Sequence, residues 1–108
     1  MYTYKFEVTK VVDGDTIYGN ADLGFNIKMY VKLRLARINT PEVRGAEKEQ
    51  GLLSKAEVLT LVENNGESIV ITTTEKGKYG RWIAEVIIDG KNLSDHLVDN
   101  GFAEYVEY

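Results

Sequence analysis

A chain of 108 residues with 44% apolar and 28% charged side chains suits one domain with a single core, large enough to fold without disulfides or structural metals. The absence of cysteine excludes disulfides and thiolate chemistry, and no apolar run approaches the length of a membrane span. The net charge of −4 argues against a broad basic surface that coats nucleic acid, yet the acidity is local: residues 1–81 hold 12 basic against 11 acidic groups, whereas residues 82–108 hold one lysine against six acids.

The opening MYTYKFEVTK has neither a basic start followed by an apolar stretch nor a small-residue cleavage site, so no secretory signal is expected within it, and the redox compartment stays open. Tyr2, Tyr4, Phe6 and Val8 alternate with polar residues, and Val11-Val12 break the parity before Asp13-Gly14-Asp15, as a bulge or turn would. Thr16-Ile17-Tyr18 reads as a returning strand and Gly19-Asn20-Ala21-Asp22 as a turn. Ile27, Met29, Val31, Leu33 and Leu35 then alternate strictly with Lys28, Tyr30, Lys32, Arg34 and Ala36, which turns Arg34 away from the Leu33 and Leu35 face. Tyr2, Tyr4, Tyr18 and Tyr30 read as barrel packing.

From about Ala46 to Asn64 the spacing becomes helical, with Leu52, Ala56, Leu59 and Val62 as the inward face and Asn64-Asn65-Gly66 as the stop. Ser54 and Glu57 fit a capping box, though Gly51 could equally lie inside the first turns. Ser68–Thr74 and Trp82–Ile88 read as strands separated by the turn-like stretch Glu75–Gly80, with Asp89-Gly90 closing the second and Trp82 in the core. A short helix from about Asn92 carries Leu93, Leu97 and Val98 inward, ends at Gly101, and places His96 at a surface or boundary position. About five mostly antiparallel strands with one main helix predict a small barrel with appended helices, a mostly β fold with helices, in one domain over residues 1–108.

The polar residues that this pattern does not need are Asp13, Asp15, Arg34, Asn39, Thr40, Glu42 and Arg81. Carboxylate, amide and carbonyl oxygens suit a hard cation, two arginines suit a phosphodiester because planar guanidinium groups fork onto phosphate oxygens, and a glutamate can deprotonate water. Each alone has a commonplace role: Asp-Gly-Asp as a turn, a strand arginine as an ion-pair partner, Thr-Pro-Glu as a loop.

Their order along the chain resembles that of the staphylococcal nuclease (thermonuclease) family over nearly the whole sequence. The matching residues are Val12-Asp13-Gly14-Asp15-Thr16, Arg34 followed by Asn39-Thr40-Pro41-Glu42, Lys78-Tyr79-Gly80-Arg81, and Asp89-Gly90 with the segment from Leu97 to Ala103. The resemblance implies an OB-fold, a five-stranded barrel with about three helices, and Ca²⁺-dependent cleavage of DNA and RNA of low sequence specificity that leaves 3′-phosphate ends. It further implies Asp15, Asn39 and the Thr40 carbonyl as metal ligands, Arg34 and Arg81 as catalytic arginines, Glu42 as the residue that activates water, and Lys78 and Tyr79 as holders of a terminal phosphate.

Three departures stand out. Asn39 falls where the well-studied members carry aspartate, which predicts weaker Ca²⁺ binding with geometry retained. Arg37 replaces an apolar residue and is expected to pair with an acid. Glu107 stands where a base-stacking tyrosine is expected, with Tyr105 or Tyr108 as substitutes only if the register shifts. The expected protein is a monomeric nuclease acting on DNA and RNA without a membrane; the rivals are an OB-fold that binds single strands without catalysis and a protein-interaction scaffold using the acidic C-terminal part.

Overall fold

The computed structural model describes residues 2–65 and 68–106. Strand β1 (Tyr2–Asp13) is the longest, and β-bulges at Val8/Lys10 and Val11/Asp13 bend it so that it serves two neighbours. Its first half pairs antiparallel with β5 (Ile69–Lys76) and its second with β2 (Thr16–Asp22), across the Asp13-Gly14-Asp15 turn. β2 pairs in turn with β3 (Lys28–Leu35), and β5 with β6 (Trp82–Ile88). A parallel pairing of β3 with β6, Leu33 opposite Trp82 and Leu35 opposite Ala84, closes the ring. The result is the expected OB-fold barrel of five strands.

Alternation explains the closure. Leu33 and Leu35 are fully buried while Arg34 between them lies on the outer face, and Ile17, Ile71, Ala84 and Val86 complete the interior. Burying each large aliphatic side chain contributes about 1.5–3 kcal/mol, so a strand whose odd positions are all apolar holds its register firmly. β2 extends further than its sequence suggests. Gly19–Asp22 are strand residues because both neighbours pair with them, and the reversal occurs instead around Gly24, Phe25 and Asn26, all at positive φ.

After β3 the chain makes a short strand β4 (Ile38–Asn39), then a 3₁₀ turn (Gly45–Glu47) and helix α1 (Lys48–Asn65). Of the expected buried face of α1 only Val62 packs against the core. Leu52 and Leu59 are 44% and 37% exposed and Ala56 is exposed, whereas Gly51, Ser54 and Val58 face the barrel. Ser54 is therefore a mid-helix contact rather than a cap: its Oγ donates to the Phe102 carbonyl at 2.7 Å. Gly51 is needed because a Cβ there would stand 2.1 Å from the Glu42 carbonyl oxygen. The helix runs to Asn65, and Gly66 of the expected stop lies outside the described residues.

The Asp89-Gly90 turn, with both residues at positive φ, folds β6 onto the short strand β7 (Lys91–Asn92). Helix α2 (Leu93–Asp99) follows, capped by the Asn92 side chain, which accepts from the Asp95 N–H at 3.1 Å. Gly101 at φ +80° ends it, as expected, and Leu93 and Leu97 are buried. The chain then returns as β8 (Glu104–Tyr105) to pair with β4. His96 sits half-buried at the boundary between the helices, 2.9 Å from Glu57. Trp82 is partly buried against the core, but Tyr2 and Tyr30 are 71% and 54% exposed, so they do not pack the barrel.

Candidate active site

The polar residues that the strand pattern left unexplained meet at one end of the barrel. A cleft of about 650 Å³ is lined by Asp13, Asp15, Arg34, Asn39, Thr40, Glu42 and Arg81, together with Glu47, Gln50 and the turn after α2. Four separate elements supply them. The β1–β2 turn brings the aspartates, β3 brings Arg34, β4 and the segment after it bring Asn39 to Glu42, and the residue just before β6 is Arg81.

Asp15 is the hub. Its Oδ1 accepts from the Thr16 hydroxyl at 3.1 Å and its Oδ2 from the Thr40 N–H at 3.2 Å, with the Arg34 Nη2 3.4 Å away. Burial works to raise its pKa, but the hydrogen bond shared with Asp13, the Arg34 charge and the Thr40 and Thr16 donors together hold it below the ordinary value, so Asp15 is a carboxylate at neutral pH. Asp13 goes the other way. Burial first, then the hydrogen bond and the charge of Asp15, push it up to about 6. Its Oδ1 also accepts the Asp15 N–H at 3.1 Å, the turn role expected of it.

Arg34 spans the cleft. Its Nη1 donates to the Leu35 carbonyl at 2.8 Å, and its Nη2 donates to the Asn39 Oδ1 while facing Asp15. Arg81 donates from Nη1 to the Thr16 hydroxyl at 3.2 Å, and its buried Nε has no acceptor, as the buried Thr40 hydroxyl has no partner, among the described residues. Five donors with one in use leave Arg81 ample capacity for an anion. Glu42 is exposed on the cleft wall, held there by the close approach of its carbonyl to Gly51, and Gly14 allows the aspartate turn to lie against Thr40, where a Cβ would come within 2.8 Å of Cγ2.

Lys78 and Tyr79 are not in the cleft lining. Both are exposed in a 3₁₀ turn (Lys78–Gly80) at its margin, Tyr79 at positive φ with its ring 5.7 Å from the Arg81 guanidinium. The expected pairing of Arg37 is the observed one, with Glu85 at 2.7 Å and Asp95 at 3.0 Å. Tyr105 joins that cluster: its hydroxyl donates to Asp95 at 2.7 Å and its ring lies under Arg37. It therefore faces away from the cleft, while Glu107 and Tyr108 lie outside the described residues. Glu47, Gln50 and Glu104 line the cleft although the sequence did not single them out; Gly51 lies behind the wall, against the Glu42 carbonyl, and a glycine inside a helical pattern was the available sign of that close backbone approach.

The profile of the family described as staphylococcal nuclease homologue matches residues 32–108, more than half of the chain. The chain belongs to the staphylococcal nuclease family. The matched segment carries Arg34, Asn39, Thr40, Glu42 and Arg81. The Asp13–Asp15 turn precedes it and reaches the same cleft through β1–β2 pairing and the Thr40 N–H. No curated protein matches the chain. Among the described residues no helix is long and apolar enough to cross a membrane, and no group of three or more His, Cys, Asp and Glu side chains is placed to hold a metal ion.

Proposed function

We propose that the protein is a Ca²⁺-dependent nuclease that hydrolyses phosphodiester bonds in DNA and RNA with low sequence specificity, leaving 3′-phosphate ends. The observation that carries the reading is that Arg34 and Arg81 share one cleft with Asp15, Asn39, Thr40 and Glu42. A site meant only to bind a strand has little use for a carboxylate wall. Here five carboxylates, those of Asp13, Asp15, Glu42, Glu47 and Glu104, line the cleft against two guanidinium groups. That excess favours a divalent cation, and the donors fit a hard one: Asp15 Oδ2 and Asn39 Oδ1 already converge on a single positive group, the Arg34 Nη2. Asp15, Asn39 and the Thr40 carbonyl would hold it.

When bound, Ca²⁺ supplies charge that polarises a phosphate oxygen. The rest falls to the side chains. Arg34 and Arg81 grip the non-bridging oxygens and neutralise the charge that grows as water adds to phosphorus. Glu42 accepts the proton of that water, whose oxygen stays on phosphorus while the bond to the 5′ oxygen breaks; the departing oxygen takes a proton from solvent. Lys78 and Tyr79, at the margin, hold the terminal phosphate of the strand.

Digestion of plasmid and RNA with and without Ca²⁺, repeated with Glu42→Ala and Arg34→Ala, tests the proposal. Cleavage should require Ca²⁺ and fall by about a hundredfold or more in each variant. Cleavage that survives both substitutions would remove this cleft from the reaction.

A further inference from the structure

Strand β3 keeps part of one edge open. β2 covers the other edge throughout, from Asp22 opposite Lys28 to Thr16 opposite Arg34, but β6 reaches only Leu33, Arg34 and Leu35. The hydrogen bond from the Leu35 N–H to the Asp15 carbonyl, 2.8 Å, fixes the phase of the ladder. Odd-numbered residues of β3 bond to β2, and the backbone groups of even-numbered ones point the other way, as the Ala36 N–H does to the Ala84 carbonyl at 2.9 Å. Lys28, Tyr30 and Lys32 have no strand on that side among the described residues. Their N–H and C=O groups form an exposed, unpaired row.

An apolar groove of about 130 Å³ lies beside this row, lined by Tyr4, Leu23, Met29, Val31 and Trp82 among others, and it shares no residue with the lining of the active-site cleft. At the hairpin tip beyond it Leu23, Phe25 and Ile27 are exposed, Phe25 to 96%. Apolar surface left in water and rimmed by charge marks an interaction site. The rim here is basic. Lys28 and Lys32 stand on the outer face of the same strand, neither in an ion pair among the described residues, and Lys76 lies 5.8 Å from the Trp82 ring. Asp22, the acid opposite Lys28, already accepts the Gly24 N–H at 2.9 Å.

The lysines decide what fits. Residues 28–32 read Lys-Met-Tyr-Val-Lys, so a second copy paired antiparallel about Tyr30 would set Lys28 against Lys32 at both ends. Like charges directly opposite destabilise a sheet, whereas acids at those two positions would find partners. We propose that the open edge of β3 takes an extended segment of a partner protein, alternately acidic and apolar, as an added antiparallel strand. Its acids lie opposite Lys28 and Lys32, its apolar side chains opposite Met29 and Val31 and over the groove. Its backbone bonds to the free groups of Lys28, Tyr30 and Lys32.

The test combines fluorescence anisotropy with NMR hydrogen exchange, using a labelled peptide of about nine residues centred on Glu-Val-Thr-Val-Glu. One control peptide carries lysine in place of both glutamates, and another is N-methylated at the threonine. The glutamate peptide should bind at least tenfold more tightly than either control, and Lys28→Glu/Lys32→Glu should invert the preference between glutamate and lysine. At saturation the Tyr30 and Lys32 amides, unbonded in the free protein, should exchange at least tenfold more slowly. The Met29 and Val31 amides, already bonded to β2, should change far less. Equal binding of the glutamate and lysine peptides, binding that survives N-methylation, or unaltered exchange at Tyr30 would overturn the proposal. So would the same protection given by an oligonucleotide, which would make the edge a nucleic-acid contact. Loss of the nuclease reading would leave the proposal standing, because the groove and the cleft are separate.

Discussion

Arg34 and Arg37 lie three residues apart and have opposite surroundings. Arg37, at φ +69°, forks onto Glu85 and reaches Asp95, so its charge is matched by two carboxylates that tie the end of β3 to β6 and α2. Those hydrogen bonds push its pKa further up and hold that of Asp95 below the ordinary value. Arg34 faces one carboxylate and one neutral amide and borders open space. The same side chain is structural where its donors are consumed by acids on other elements, and available for chemistry where an amide takes the place of an acid. Partner identity, rather than residue type or burial, separates the two regions.

The sharpest way to break that contrast is to remove each arginine in turn. Arg34→Ala should lower kcat/KM by about 10²–10³ per folded molecule, the loss typical of a donor that acts on developing charge. Next in size is Gly51→Ala. Its methyl group would displace the Glu42 carbonyl, so urea unfolding should show a loss of about 1–3 kcal/mol together with reduced activity, and an unchanged variant would mean that Gly51 does not set the position of Glu42.

Asn39→Asp sharpens the contrast from the other side, because it gives Arg34 the second acid that Arg37 already has. Calorimetric titration should show Ca²⁺ binding tightened by about tenfold, or about 1.4 kcal/mol; equal affinities would show that Asn39 does not touch the cation. Arg37→Ala should cost about 1 kcal/mol of stability, since its pairs are partly solvent-exposed, and leave activity per folded molecule within a few-fold of wild type.

Asp13→Asn should have the smallest effect. The raised pKa of Asp13 means that the folded state holds a proton that the unfolded chain has released, so this group stabilises the fold below about pH 4 and the contribution disappears as pH rises to about 6. Half exposure reduces that term to about 1 kcal/mol or less. Unfolding curves at pH 4 and 6.5 should therefore differ by that amount more in the wild type than in the variant.

Much of the architecture was legible in the sequence because single-period patterns dictated it. β3 alternates without a break and Trp82–Ile88 matches β6 to the residue, since each faces a core on one side only. The site was legible as a set of polar residues at positions where the strand pattern needed none, and Asn39-Thr40-Pro41-Glu42 falls where β4 ends and the chain must turn into the cleft. What the sequence hid was decided by long-range contact. Apolar residues occur all round α1, so periodicity favoured Leu52 and Leu59. The true face uses Gly51 and Ser54 because the Glu42 and Phe102 carbonyls press against it, and no local pattern encodes that approach. Gly19–Asp22 likewise look like a turn until strands on both sides claim their hydrogen bonds.

In the proposed function the oxygens around Arg34 are a cation site set beside a phosphate site. A crystal structure of the protein with Ca²⁺ and a 3′,5′-bisphosphorylated nucleotide tests it most directly. The cation is expected at roughly 2.3–2.6 Å from Asp15, the Asn39 amide oxygen and the Thr40 carbonyl, with Arg34 and Arg81 on one phosphate group. A cation held elsewhere, or a nucleotide bound with both arginines still on protein partners, would contradict it.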